Sequence, residues 1–282
     1  MSHPAIQEIV AVFGQPVTGN PTQYMMEKAF AALGLDWRYL TIEVAPQDLG
    51  DAIRGMWAMG FRGCNLTIPH KVEVIQYLDR IGESAGLMGA VNCVNRVGDE
   101  LVGENTDGKG FAQSLKTLTD PAGKNILLLG AGGAARAIAV EMALAGAARI
   151  TVVNRGEARG HELVTLINEK THVPSEFVKW QGTYKVPPDA DVVINATSIG
   201  LGDASARVPL DPHSLEADMV VADVIFNPPE TRLIRDARER GCQTLDGLGM
   251  LVNQAVIAFK IWTGRDANAD VMRDALEEFL GF

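Results

Sequence analysis

The chain has 282 residues, 47% hydrophobic and 21% charged, with a formal net charge of −10. That length accommodates one large domain or two ordinary ones, each with its own core. A balance this acidic repels phosphate backbones and anionic lipid, which excludes nucleic acid and a membrane surface as expected partners.

The segment "IVAVFGQP" reads as a short buried strand ended by Gly14 and Pro16. In "PTQYMMEKAFAALGL", Met25, Met26, Ala29, Phe30 and Leu33 fall at helical spacing, with Gly34 as the stop. "DWRYLTIEV" is a second strand, "PQDLGDAIRGMWAMG" a second helix, "FRGCNLTIP" a third strand and "HKVEVIQYL" the opening of another helix. "GAVNCVNRVGDELVGENTDG" carries two short strands joined at Gly98 and Asp99, a hairpin signal. Alternating strands and helices of this kind predict a mostly parallel sheet.

The alternation restarts after residue 123. "KNILLLG" is an apolar strand, "AARAIAVEMALAGA" a helix and "RITVVNR" a strand; "DADVVINATS" and "DMVVADVIF" add strands, "ETRLIRDARERGC" a helix. The segments "GMLVNQAVIAFKIWTG" and "ADVMRDALEEFLGF" read as two further helices. The stretch 108–123 reads as a short connection, so two domains enclosing a cleft are expected. Cys64, Cys93 and Cys242 are odd in number, far apart and without a CxxC pair. No disulfide framework and no metal site are expected, and a reducing cytoplasm fits. No run of about 18 apolar residues predicts a membrane span. The start "MSHPAIQEIV" lacks the basic and apolar regions of a signal peptide.

Candidate chemistry begins at "LLLGAGGAARA". Gly130, Gly132 and Ala135 form a G-x-G-x-x-A pattern between an apolar strand and a helix. The first glycine permits a sharp turn, the second lets the backbone approach a pyrophosphate, and the alanine lets helix and strand pack closely. The helix start then offers free N–H groups to the phosphates. A tight turn between buried elements would use the same residues, but the strand–turn–helix–strand context favours a dinucleotide. An NAD site places an acid about 20 residues on; here Asn154 and Arg155 stand there, with Arg159 following. A guanidinium fork suits a phosphate, which points to the 2′-phosphate of NADP. Glu157 lies beyond the strand end.

With a nicotinamide supplying hydride chemistry, the protein must orient a substrate and move one proton. Lys71, just after Pro69 in "CNLTIPHK", is one candidate for that proton, and Asp107 in "ENTDGKGF" is the other. A solvated lysine and an ordinary turn aspartate are the plain alternatives. Asn65, Asn92 and Asn105, with Thr67 and Thr106, offer hydrogen bonds to a polyhydroxylated ligand. Alternation along a strand would send Asn65 and Thr67 to the same side.

Together, "NLTIPHK", "GAVN", "ENTDG", "GAGGAARA", "NR…R", "NATSIG" and "DGLGMLVNQA" resemble the shikimate dehydrogenase family, in the family's order, over residues 10–260. The resemblance implies an α/β fold of two domains. An N-terminal α/β substrate domain would span 1–108 and be rejoined by C-terminal helices, 251–282. A Rossmann NADP-binding domain would span 109–250. The implied reaction is reversible reduction of 3-dehydroshikimate to shikimate, in aromatic amino acid biosynthesis. Lys71 and Asp107 match the catalytic pair. Thr67, Asn92 and Gln254 match substrate positions, with Asn65 beside them. Gly130, Ala131, Gly132, Gly133, Ala134, Asn154, Arg155 and Arg159 match the cofactor loops, as do Thr197 and Ser198 in "NATSIG". Val224 and Gly247 match positions lining the nicotinamide. Quinate or aminoshikimate dehydrogenases, and an NADP sensor without turnover, are the rival readings, and a monomer or a homodimer is expected.

Two departures stand out. The family's Ser-x-Ser, whose hydroxyls hold the substrate carboxylate, is replaced by Asn20 and Thr22, and its tyrosine in D-x-x-Y by Phe226. The sequence leaves open whether these changes alter substrate preference or are neutral.

Overall fold

The computed structural model describes residues 6–282; the segment 1–5, part of the stretch read for a leader, lies outside the described residues. The chain divides into two compact units: unit 1 is Met1–Thr106 with Gln254–Phe282, and unit 2 is Asp107–Asn253.

In chain order the first elements are β1 (Glu8–Gly14), α1 (Thr22–Ala32), β2 (Trp37–Glu43), α2 (Leu49–Ala58) and β3 (Gly63–Leu66). There follow α3 (His70–Glu73), β4 (Arg80–Ile81), α4 (Glu83–Met88), β5 (Cys93–Val97), β6 (Glu100–Glu104) and α5 (Thr106–Leu115). Unit 1's sheet has the order β2-β1-β3-β5-β6-β4. β1 runs parallel to β2 and β3, whereas β3–β5 and β5–β6 are antiparallel, so the sheet is mixed. The β5–β6 hairpin turns where the sequence predicts, with Gly98 at φ +62°.

Two local expectations give way. The helix predicted over residues 70–78 holds for one α turn in α3 and then tightens to a 3₁₀ turn, Val74–Tyr77. Val72, Val74 and Ile75 are β-branched, and Pro69 supplies no side-chain cap. Residues 108–115, read as part of a connection, instead continue α5, and Asp107 sits in its first turn, where the helix dipole favours an acid. Gly108 lowers helix propensity, yet a Cβ there would lie 2.4 Å from the Ala137 carbonyl oxygen. Its absence lets α5 pack closely within unit 2, with Phe111 and Leu115 fully buried.

Unit 2 continues with β7 (Asn125–Leu129), α6 (Gly133–Leu144), β8 (Arg149–Asn154), α7 (Glu157–Lys170) and β9 (Ser175–Lys179). Then come β10 (Val192–Asn195), β11 (Val220–Asp223), α8 (Arg232–Glu239) and β12 (Gln243–Leu245). The strands pair in parallel in the order β12-β11-β10-β7-β8-β9. This is the doubly wound dinucleotide-binding order, and it reverses direction between β7 and β10. Buried strands such as Ile126–Leu129 and Val192–Ile194 read as continuous apolar runs because helices cover both faces.

The last helices are α9 (Gly247–Thr263) and α10 (Ala269–Leu280). From Gln254 onward they belong to unit 1. Phe259 stacks on Phe30 at 5.2 Å between ring centroids, and the Trp262 indole donates to the Val94 carbonyl at 2.9 Å. Among the described residues no helix is long and apolar enough to cross a membrane.

Candidate active site

In unit 2, the chain leaves β7 through Gly130, at φ +111°. A Cβ there would lie 2.9 Å from the Ala196 carbonyl oxygen, so only glycine lets the β7 and β10 exits approach this closely. Gly132 is the N-cap of α6 and makes no side-chain cap hydrogen bond. Nothing lies within 4 Å of a Cβ built on Gly132 or Gly133. The helix start is therefore open, with uncapped N–H groups and the positive end of the dipole beside it.

A cavity of about 550 Å³ adjoins this turn; Gly130, Ala131, Gly132, Asn154, Arg155, Trp180, Thr197 and Ser198 are among its lining residues. It sits at the carboxyl ends of β7 and β10, where the strand order reverses and ligands of such sheets bind. The Asn154 amide donates to the Gly156 carbonyl at 2.8 Å and fixes the loop that presents Arg155. Arg155 and Arg159 are exposed and make no ion pair among the described residues. Glu157, between the two arginines in sequence, is held by Lys179 at 2.5 Å. That hydrogen bond lowers its carboxyl below the usual range. The donors thus fit a dinucleotide bearing a further phosphate.

The other side of this cavity is stiffened by a buried network. Asp223 accepts from the Asn195 amide at 2.9 Å and the Thr231 hydroxyl at 2.8 Å. Asn195 in turn accepts from the Thr197 hydroxyl at 2.7 Å, and Thr197 Oγ1 accepts from the Ile199 N–H at 3.1 Å. Burial outweighs these hydrogen bonds and raises the Asp223 carboxyl to about 6. Val224 N–H donates to the Asn195 carbonyl at 3.0 Å. A Cβ on Gly247 would come within 2.5 Å of the Val224 carbonyl oxygen, so glycine is required at that contact.

In unit 1, the polar candidates gather at one end of the sheet. Thr67 follows β3, Asn92 precedes the antiparallel β5, and Thr106 follows β6; register puts all three at the same edge. Asn92 Nδ2 donates to Thr106 Oγ1 at 3.0 Å, and the Thr106 N–H donates to Asn92 Oδ1 at 2.7 Å. Gln254 Oε1 lies 3.5 Å from Thr106 Oγ1. Lys71 is half-buried in α3, and its carbonyl accepts from the Val91 N–H at 2.7 Å. A four-residue helix has little macrodipole, so the position of Lys71 matters here rather than the field of its helix. Asn65 is more structural than its sequence context implies. Its Oδ1 takes the Tyr39 hydroxyl proton at 2.7 Å and its Nδ2 donates to the Asn92 carbonyl at 2.9 Å. The Thr67 hydroxyl makes no hydrogen bond among the described residues. Asn20 Oδ1 accepts from the Thr22 N–H at 2.9 Å, and Phe226 is half-buried after β11.

Sequence reasoning missed Trp180, Gly182 and Pro209. Trp180 is 7% exposed and its indole donates to the Pro209 carbonyl at 2.9 Å, which locks its ring at the cavity wall. No local pattern announces it, because Pro209 is far along the chain.

Three family models match: the shikimate dehydrogenase substrate binding domain over residues 12–94, shikimate / quinate 5-dehydrogenase over 112–201, and the shikimate 5'-dehydrogenase C-terminal domain over 247–277. A shikimate dehydrogenase (NADP(+)) of Symbiobacterium thermophilum is 41% identical, with 95% of this chain and 92% of that protein covered. The ligand-free 5-ketofructose reductase of Gluconobacter sp. strain CHM43 superposes with a TM-score of 0.96 at 51% identity, covering 98% and 99% of the two chains. A shikimate 5-dehydrogenase from Listeria monocytogenes, solved with shikimate and NAD, gives 0.90 at 33% identity, with 96% of each chain covered.

Proposed function

This chain belongs to the shikimate dehydrogenase family of NADP-dependent oxidoreductases, and we propose that it catalyses the reversible reduction of 3-dehydroshikimate to shikimate. The observation that carries the cofactor half is the open turn Gly130–Ala134 beside an unpaired Arg155. When bound, NADPH supplies the hydride. The uncapped α6 N–H groups receive the pyrophosphate, and Arg155 with Arg159 receives the 2′-phosphate. Thr197, Ser198, Val224 and Gly247 shape the nicotinamide end. In unit 1, Thr67, Asn92 and Gln254 hydrogen-bond the ring hydroxyls, and Asn65 holds Asn92 in place. Lys71 gives a proton to the ketone oxygen as it gains charge, with Asp107 as its partner. Free buried cysteines support a cytoplasmic setting.

A second substrate reading has its own support. The structure at 51% identity is a reductase of 5-ketofructose, a sugar without a carboxylate. Asn20, Thr22 and Phe226 depart from the family pattern on the residues assigned to a carboxylate-bearing ring. The test is steady-state NADP⁺ reduction with shikimate and with quinate, beside NADPH oxidation with 3-dehydroshikimate and with 5-ketofructose. Shikimate turnover that is faster with NADP⁺ than with NAD⁺ supports the main reading. No turnover of any of these compounds refutes it.

A further inference from the structure

We infer that Asp223 is a positioning residue for the cofactor: without lining the cavity, it anchors a chain of hydrogen bonds that holds the Thr197–Ile199 wall in its binding shape. This rests on the reading, given above, that NADPH occupies the cavity. Asp223 ends β11, is 1% exposed, and is not among the cavity's lining residues. Its register partner on the neighbouring parallel strand is Asn195, the fully buried last residue of β10. Three donors from three segments converge on the carboxyl. Oδ1 accepts from Asn195 Nδ2 at 2.9 Å and from the Ile225 N–H at 3.1 Å, and Oδ2 accepts from the Thr231 hydroxyl at 2.8 Å. Thr231 is the N-cap of α8. One side chain thus ties together the exits of β10 and β11 and a helix start.

A carboxamide has nearly the same shape either way round, so its neighbours decide which end is which. On one side of Asn195 stand acceptors: Asp223 Oδ1 and, at 3.3 Å, the Ile199 carbonyl. On the other stand donors, since the Thr197 N–H at 3.2 Å and the Thr197 hydroxyl at 2.7 Å both donate to Asn195 Oδ1. Thr197 Oγ1 in turn accepts from the Ile199 N–H at 3.1 Å. The bonds from Ile199 through Thr197 and Asn195 to Asp223 all run one way, and such a chain polarises cooperatively. A reversed carboxamide would set N–H against N–H at Thr197 and oxygen against oxygen at Asp223, leaving buried groups unpaired. The acceptor at 223 is what excludes that reversal.

The orientation reaches the ligand through the turn. Thr197 and Ile199 both spend their N–H groups inside it. Ser198, between them, is exposed and lines the cavity, and neither its N–H nor its hydroxyl donates a hydrogen bond among the described residues. Those two donors are what the turn leaves to a cofactor. The carbonyl just before the turn, that of Ala196, is the group a Cβ on Gly130 would meet at 2.9 Å. A displaced wall would therefore also disturb the glycine turn.

The experiment measures NADPH affinity by fluorescence titration of the full chain, with urea unfolding to establish that each variant is folded. Asp223→Ala should weaken NADPH by about tenfold. Asp223→Asn should recover most of that loss, because its oxygen can accept from Asn195 and Ile225 while its NH₂ turns to the Thr231 oxygen. Thr197→Val cuts the same chain. The double variant, Asp223→Ala with Thr197→Val, should therefore bind within about twofold of the weaker single variant. A fold loosened elsewhere would instead give losses that multiply. Multiplying losses, unchanged affinity in folded Asp223→Ala, or a loss in Asp223→Asn as large as in Asp223→Ala overturns the inference and leaves the cofactor reading standing. If Asp223→Ala does not fold, the half-buried Thr197 decides. Thr197→Val should then speed solvent exchange of the Ile199 amide, followed by NMR, and weaken NADPH, and no change in either overturns the inference. Wild-type protein that binds no NADPH overturns both readings.

Discussion

Unit 2 offers its ligand mostly backbone: a glycine at φ +111°, an uncapped helix start and two parallel strand ends, with Arg155 as the one charged side chain lining the cavity among the described residues. Unit 1 offers side chains drawn from five separate segments, around Asn20, Thr67, Asn92, Thr106 and Gln254. A backbone site is built by one contiguous turn and tolerates changes elsewhere. A side-chain site depends on partners distant in sequence, so its specificity drifts one residue at a time while the fold persists. This contrast accounts for similar proteins, each covering nearly all of this chain, that carry the names of different substrates.

The contrast is sharpest at Lys71. Lys71→Ala should lower kcat by roughly 100-fold or more, the scale of general acid–base assistance, while NADPH affinity stays put. Near-normal turnover would remove Lys71 from the proton step. The next effect is on stability. Asn92→Ala strips Thr106 of its carboxamide partner and should cost about 1–3 kcal/mol, read as a shifted urea midpoint. An unshifted midpoint would mean that the polar cluster of unit 1 is not a structural unit. Arg155→Ala should weaken NADP by about tenfold with NAD unaffected, as measured by fluorescence titration. Equal loss for both cofactors would show that the arginine does not read the 2′-phosphate.

The smallest effect concerns pH. Asp223 titrates near 6 in the folded chain, above its ordinary 3.8. The native state therefore holds that proton more tightly than the unfolded chain does. The penalty is fully present above about pH 6 and fades as the pH falls through 6 toward the unfolded value. The wild type should gain stability relative to Asp223→Asn between about pH 7 and pH 5, by thermal unfolding. A constant difference across that range would argue against a shifted carboxyl.

Legibility in the sequence follows the same division. The Gly130–Ala134 turn and Arg155 could be read because strand, turn, helix and next strand are consecutive. Lys71, Asn92 and Gln254 stand out through the family pattern, since spacing alone cannot bring residues 92, 106 and 254 together. α5 stayed hidden because Gly108 and Gly110 depress helix propensity, whereas tight packing against Ala137 demands a small residue. Alternation along β3 predicts the side on which Asn65 lies but not the Tyr39 hydroxyl that occupies it. Trp180 escaped for a similar reason, as its anchor is a carbonyl 29 residues away.

The Lys179–Glu157 clasp carries a wider implication. By pairing the carboxylate that lies between Arg155 and Arg159 in sequence, it offsets a charge that would repel a doubly charged ester. Loosening that clasp would blur the distinction between a cell's two nicotinamide currencies. The choice between them is thereby tuned, modestly, by a surface ion pair.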